Sequence, residues 1–214
     1  MKRALILVDL QNDFMPGGAL PVPAGDEVVP LANALARGPF DFVVATQDWH
    51  PPDHASFAAN HPGKKPGDVI ELHGAPQILW PVHGVQGTPG AEFAPGFDTS
   101  GVERVFHKGT EPTIDSYSTF FDNLHRRSTG LADYLRQKGI DTVYLAGVAT
   151  DYCVRYSALD ARQLGLETFV ILDACRGIDL EPGDIERAVE EMRAAGVHIV
   201  TSRDVLGAPG RTQP

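Results

Sequence analysis

A thiol, a carboxylate and an ammonium each stand at the end of an apolar run in this sequence: Cys153, Asp9 and Lys108. Together they have the parts of a nucleophilic centre. The thiol attacks, Asp9 takes its proton and later delivers it to a leaving amine, and Lys108 holds Asp9 ionised and favours the thiolate by charge. Cys153 follows a stretch that starts as a solid apolar run at Thr142, breaks at Gly147 and resumes with Val154, Ala158, Ala161 and Leu164 at helical spacing. The thiol is therefore expected in a first helical turn, where free amides and the positive helix end favour a thiolate and can hold an oxyanion. Each residue also has a plainer reading. A free cysteine is often a small core residue, an aspartate after a strand is often a turn residue, and a lysine is often a solvated charge. Their joint occurrence at strand ends favours chemistry.

A second group suits a divalent ion. Asp48, His50 and His54 form a D-x-H-x3-H cluster, and His83 follows in Trp80-Pro81-Val82-His83. Carboxylate and imidazole ligands fit zinc, iron or manganese. Asp48 and His50, two apart, point the same way from an extended segment. Loop histidines can equally be surface groups, and His61 and His73 read that way. Phe14, Trp80 and Tyr117 could sandwich a flat ring, although aromatics are more often plain core. Cys175 reads as structural.

The elements that must position these residues alternate strand and helix. Ala4 to Leu10, Phe40 to Thr46, Arg104 to Lys108, the run from Thr142, Glu167 to Leu172 and His198 to Thr201 read as six strands, the longer ones apolar throughout. Helices are expected after Asp26, which can cap the first, from about Thr129 to Gly139, behind Cys153, and near Pro182 to Ala195. This is an α/β pattern: a three-layer α/β/α fold with a six-stranded, mostly parallel sheet. In such sheets ligands bind at the strand C-termini, where Asp9, Lys108 and Cys153 fall. Between about residues 48 and 103 the pattern lapses. That stretch carries eight of the 17 prolines and five of the eight histidines, so it reads as an ordered, functional insertion in a single domain spanning 1–214. Gly207 to Pro214 is expected to fray.

Composition narrows the partners. The chain has 214 residues, 43% hydrophobic and 21% charged, enough for a sizeable core. A net charge of −10 argues against nucleic acid, and no run is long enough to span a membrane. Two cysteines suggest no disulfide framework, which points to the cytoplasm. A small molecule is the expected partner, and assembly with further copies of the chain is compatible with the sequence. No G-x-G-x-x-G follows the first strand, so a dinucleotide site lacks its usual support.

The segments Asp9-Leu10-Gln11-Asn12-Asp13-Phe14, Thr46-Gln47-Asp48-Trp49-His50-Pro51, Trp80-Pro81-Val82-His83, Phe106-His107-Lys108-Gly109 and Gly147-Val148-Ala149-Thr150-Asp151-Tyr152-Cys153-Val154 resemble, in order, the nicotinamidases of the isochorismatase-like cysteine hydrolase superfamily. The resemblance runs from about Lys2 to Asp204. It implies that Cys153 attacks a carboxamide carbon, that Asp9 is base then acid, and that Lys108 orients and tunes the pair. It further implies an oxyanion hole from the N–H groups of Ala149 and Cys153, with a cis peptide between Val148 and Ala149. Asp48, His50 and His83 would hold one divalent metal, zinc first with iron or manganese as alternatives, against the pyridine nitrogen. His54 is a candidate fourth ligand, and Phe14, Trp80 and Tyr117 would form the pocket. Many members carry a cysteine after the histidine of the W-P-x-H segment, where this chain has Gly84. The implied reaction is hydrolysis of nicotinamide to nicotinate and ammonia in NAD salvage, with activity on pyrazinamide.

Rival readings are a related hydrolase of carbamoyl or ureido amides, a hydrolase using metal-bound hydroxide, and a non-catalytic binding protein on the same fold. A thiol-alkylating reagent separates the first two chemistries. Turnover should be lost in a cysteine enzyme, whereas a hydroxide route would survive the treatment.

Overall fold

In the computed structural model, which describes residues 2–207, six parallel strands form one sheet. They are β1 (Arg3–Val8), β2 (Phe42–Asp48), β5 (Arg104–Lys108), β6 (Thr142–Val148), β7 (Glu167–Arg176) and β8 (His198–Val200), in the order β5-β2-β1-β6-β7-β8. Every pairing in this sheet is parallel. The central strands are continuously apolar because both faces are covered. Ala4, Ile6 and Val8 of β1 enter a core with α2 (Leu131–Lys138), α3 (Arg155–Gln163) and α4 (Asp184–Ala194). Leu5 and Leu7 face the other way, into a core with α1 (Val28–Ala36), joined at its margin by Val205 of α5 (Ser202–Leu206). Ala4 to Val8, five of the six β1 residues, are inaccessible to solvent. This is the three-layer α/β/α arrangement.

The strand order turns outward in both directions from the β1–β6 seam. This is the switch point at which open α/β sheets bind ligands, because the crossovers leave opposite ways there and open a crevice. Asp9 follows β1 directly, and Cys153 lies five residues beyond β6. On the far side of β2, Asp48 is the register partner of Lys108, the last residue of β5.

Several local expectations are corrected. The second strand is Phe42–Asp48, two residues later than expected, so Asp48 lies within it. Asp26 is not a helix cap: it lies inside the 3-10 turn Gly25–Glu27 that leads into α1, whose N-terminus has no side-chain cap. β7 runs to Arg176, not Leu172, because its pairing with β6 skips from Leu145–Val170 to Gly147–Cys175 and resumes beyond the irregularity. The insertion contains an antiparallel hairpin, β3 (Val69–Leu72) with β4 (Ala75–Ile78). Its two turn residues, His73 and Gly74, both have positive φ, as the tightest hairpin turns require. The strands are too short, and too exposed on one side, for their alternation to stand out. The expected fraying of the tail concerns, from residue 208 on, positions outside the described residues.

Gly147 is the tightest point of the seam. Its φ is 135°, and a Cβ there would lie 2.1 Å from the Val8 carbonyl oxygen. Gly147→Ala should therefore destabilise the protein by at least about 2 kcal/mol, since neither the torsion nor the contact can be relieved by a side-chain rotation. Urea unfolding checks this, and an unchanged midpoint would show that the two strands can part there.

Candidate active site

Cys153 sits in a π-helical turn, Thr150–Val154, that joins β6 to α3. The Val148–Ala149 peptide entering it is cis. The N–H groups of Tyr152 and Val154 both donate to the Ala149 carbonyl, at 3.2 and 3.0 Å, which folds the turn tightly around the thiol.

Lys108 lies at the centre of the cluster, 2% exposed. Its ammonium donates to Asp48 Oδ1, to the Ser116 carbonyl at 3.0 Å and to Cys153 Sγ at 3.3 Å. Asp9 Oδ2 is also near, 2.9 Å from Nζ, but off the hydrogen-bond direction, and it receives no donor. Asp9 is thus attracted by the lysine's charge while one of its oxygens keeps its lone pairs. A carboxylate oxygen of Asp9 lies within 4.8 Å of the thiol sulfur.

Asp9 itself is held under strain. Its φ of 52° is in the left-handed region, which costs a non-glycine residue about 1–3 kcal/mol. Thr46 on β2 fixes it, donating from Oγ1 to Asp9 Oδ1 at 2.7 Å and accepting the Asp9 N–H at 3.3 Å. Next to it, the Gln11 side chain pairs with the backbone of Asp48, accepting its N–H and donating to its carbonyl, both at 2.8 Å.

The charges follow from burial and proximity. Burial alone would strip Lys108 of its proton, but Asp48 and Asp9 keep its pKa well above the usual lysine range. Burial would likewise raise Asp48, yet Lys108 and His50 carry it well below the usual carboxylate range. For Asp9 burial wins: its pKa is raised, with Lys108 only partly offsetting and the Asp48 charge adding to the rise. The Cys153 thiol is pushed well above its ordinary value by burial first, against the pull of Lys108 and with Asp9 and Asp48 reinforcing it. This corrects the expectation of a thiolate favoured by the helix end. The resting group is a thiol with a carboxylate beside it.

On the other side of Asp48 lie two imidazoles. The Nε2 atoms of His50 and His83 are each 3.7 Å from Asp48 Oδ2. Their Nδ1 atoms face the carbonyls of Gly109 and Pro81 at 2.8 and 2.7 Å. A carbonyl only accepts, so Nδ1 carries the proton and Nε2 presents a lone pair, the arrangement typical of metal-binding histidines. His50 Nε2 is buried and has no hydrogen-bond partner. A Cβ on Gly109 would fall 2.3 Å from the His50 ring, so only glycine leaves it room. The residues present therefore fit one divalent ion.

His54 differs. Its Nδ1 lies 2.7 Å from Ser56 Oγ and 3.3 Å from the Ser56 nitrogen, and burial lowers its pKa to about 4, so the ring is neutral. Its nitrogen, His50 and Asp115 have atoms within 4.8 Å of one another. His61 and His73 take no part: the first bonds the Ala55 carbonyl and the second is a hairpin turn residue.

A cavity of about 340 Å³, counting the space at its mouth, opens on Cys153, Ala149, Asp48 and His83. Phe14, Trp80 and Tyr117 are in its wall, with Leu20, Tyr152, Ile178 and Asp115. Trp80 Nε1 donates to Tyr117 Oη at 3.0 Å, and Gln77 from the hairpin donates to the same oxygen at 3.1 Å and to Asp115 at 3.2 Å. Cys175 lies apart, buried, its sulfur 3.3 Å from the Ile171 carbonyl and its pKa pushed to about 12 by burial.

Sequence reading missed Thr46, Ser116, Asp115, Tyr152 and Ile178. Thr46 lies in the quoted Thr46-Gln47-Asp48 segment and Tyr152 beside the cysteine, so both were within view. Asp115 and Ile178 carry no local signal and reach the site only through the folding of their loops.

Fold and site together define the class: a parallel three-layer α/β protein with a thiol, a carboxylate and a lysine gathered at the sheet's switch point. The chain belongs to the isochorismatase family, whose domain matches residues 3–204. It is 50% identical over 203 residues to a nicotinamidase of Acinetobacter baylyi, covering 95% of this chain and 94% of that protein. A solved nicotinamidase/pyrazinamidase of Acinetobacter baumanii superposes with a TM-score of 0.93 at 50% identity, covering 96% of this chain and 98% of the other. A pyrazinamidase of Pyrococcus horikoshii, solved in complex with zinc, gives 0.75 at 42% identity, covering 94% and 99%.

Removing Lys108 would leave two buried carboxylates without their cation. Lys108→Met should lower the stability of the folded protein by about 3–5 kcal/mol, the usual penalty for breaking a buried ion pair from one side. Denaturant unfolding measures it, and a loss below about 1 kcal/mol would mean that water or rearrangement replaces the ammonium.

Proposed function

We propose that the protein is a nicotinamidase, hydrolysing nicotinamide to nicotinate and ammonia through a thioester on Cys153, with activity on pyrazinamide and a role in NAD salvage. The observation that carries the reading is the cluster itself: a buried thiol within 4.8 Å of the Asp9 carboxylate, at a cavity that Asp48 and His83 also line. Relatives of that activity, about half identical over nearly the whole chain, support it.

Asp9 takes the Sγ proton, and the sulfur bonds the carboxamide carbon. The backbone N–H groups of Ala149 and Cys153 receive the oxyanion, donors whose loss typically costs about 10²–10³ in rate. The C–N bond then breaks as Asp9 returns the proton to nitrogen, and ammonia leaves. Water attacks the thioester, Asp9 accepts its proton, and the thiol is regenerated as nicotinate departs. Lys108 holds Asp9 by charge before each proton transfer and stays beside it through the cycle. Asp48, His50 and His83 would hold a divalent ion, zinc by the donor set and by the zinc-bound relative, with His54 beside His50 as a candidate fourth ligand. That ion would supply a Lewis-acidic anchor for the pyridine nitrogen. Phe14, Trp80 and Tyr117 enclose the ring. Two free thiols suit a reducing cytoplasm.

The test is ammonia release from nicotinamide in a coupled assay. Cys153→Ala and Asp9→Asn should each lose at least about a thousandfold in kcat, as removal of a nucleophile or its base does. Turnover retained by Cys153→Ala would end the cysteine route.

A further inference from the structure

Asp151 stands two residues before the nucleophile, in the same π-helical turn, and is 3% exposed. No lysine, arginine or histidine pairs with it among the described residues. Both of its carboxylate oxygens are nevertheless occupied. Oδ1 accepts the Ile178 N–H at 2.9 Å, and Oδ2 accepts the Asp179 N–H at 2.7 Å. These bonds reach across to the loop between β7 and α4, whose Ile178 packs against the core while Leu180, two residues on, is 47% exposed. The loop is tightly shaped around the carboxylate. Gly177 leaves no room for a side chain, since a Cβ would lie 3.0 Å from Asp151 Oδ1 and 2.6 Å from Ile185 Cγ1. Asp179 adopts a left-handed φ of 55°, and its own carboxylate accepts the Ile185 N–H at the start of α4. Ile178, held between these two anchored amides, lines the cavity that opens on Cys153.

We propose that Asp151 is a positioning residue for substrate specificity: its two backbone hydrogen bonds set Ile178 as the wall of the substrate cavity, so that one turn carries the nucleophile and fixes the width of the space beside it. A buried carboxylate without a cation is costly unless donors surround it, and two short bonds to a loop backbone meet that need while immobilising the loop. The wall so placed acts on binding of the ring, and the chemical step stays with Asp9 and Cys153. This rests on the reading of the cavity as the nicotinamide site.

Hydrogen exchange and kinetics on the whole protein test it. Asp151→Ala should speed exchange at the Ile178 and Asp179 amides selectively. It should raise KM for nicotinamide roughly tenfold while kcat stays within about threefold, the pattern of lost binding without lost chemistry. Ile178→Ala should raise KM to a similar extent, and the double variant should add little, because both remove the same wall. Unchanged exchange at the two amides, a fall in kcat at constant KM, or full additivity would overturn the proposal. Should Asp151→Ala not fold, Asp151→Asn keeps the size and one acceptor. It should then shift exchange and KM in the same direction by less, and no shift in either would overturn it equally. A parent protein inactive on nicotinamide would instead refute the substrate reading, while the exchange measurement would still decide whether Asp151 anchors the loop.

Discussion

The structure turns on one buried ammonium shared by two carboxylates. Lys108, Asp9 and Asp48 are all almost inaccessible, and three full charges out of water are tolerated only because they lie in contact. The lysine's contacts distinguish the two carboxylates. Its directed hydrogen bonds go to Asp48, Ser116 and Cys153, while Asp9 Oδ2 lies 2.9 Å away at a poorer angle. Asp48 is locked as an anion and suits a metal ligand. Asp9 has a raised proton affinity and an oxygen without a donor, and suits a base. Two aspartates of the same residue type acquire opposite tasks from a single lysine.

That lysine could not serve both without the sheet's topology. Asp48 and Lys108 are direct register partners on adjacent parallel strands, so their side chains leave the same face a few ångströms apart. Asp9 and the Cys153 turn flank the β1–β6 seam one strand further in. The seam is kept narrow by Gly147, and Thr46 bridges from β2 to Asp9. The four positions therefore converge because strand order and register bring four strand ends together, although Asp9 and Cys153 are 144 positions apart in the sequence.

This explains what could be read from the sequence and what could not. Asp9, Lys108 and Cys153 were visible because buried parallel strands are unmistakable apolar runs, and the chemistry stands where they stop. The protonation state of the thiol was not visible. Spacing suggested a helix N-terminus, but the chain makes a π-turn, and the sulfur's proton affinity is set by burial, by Lys108 and by two carboxylates far away in the sequence. Thr46, Asp115 and Ile178 act through contacts with residues at least 27 positions away, a distance over which no periodicity speaks. The hairpin at 69–78 escaped because its strands are four residues long and half exposed, so their alternation was faint beside the surrounding prolines.

The two halves of the site are consequently not separable. Gly109, immediately after Lys108, both leaves room for the His50 ring and accepts its Nδ1 proton, so the strand end that delivers the lysine also orients the histidine. Asp48 faces the lysine with one oxygen and the histidines with the other. An insertion folded away from β5 would thus disturb Lys108 and the thiol as well as the imidazoles. This gives a physical reason for a lysine at this place: an ammonium with three directed protons can bind Asp48, steady the loop through Ser116 and reach the thiol, while its charge attracts Asp9.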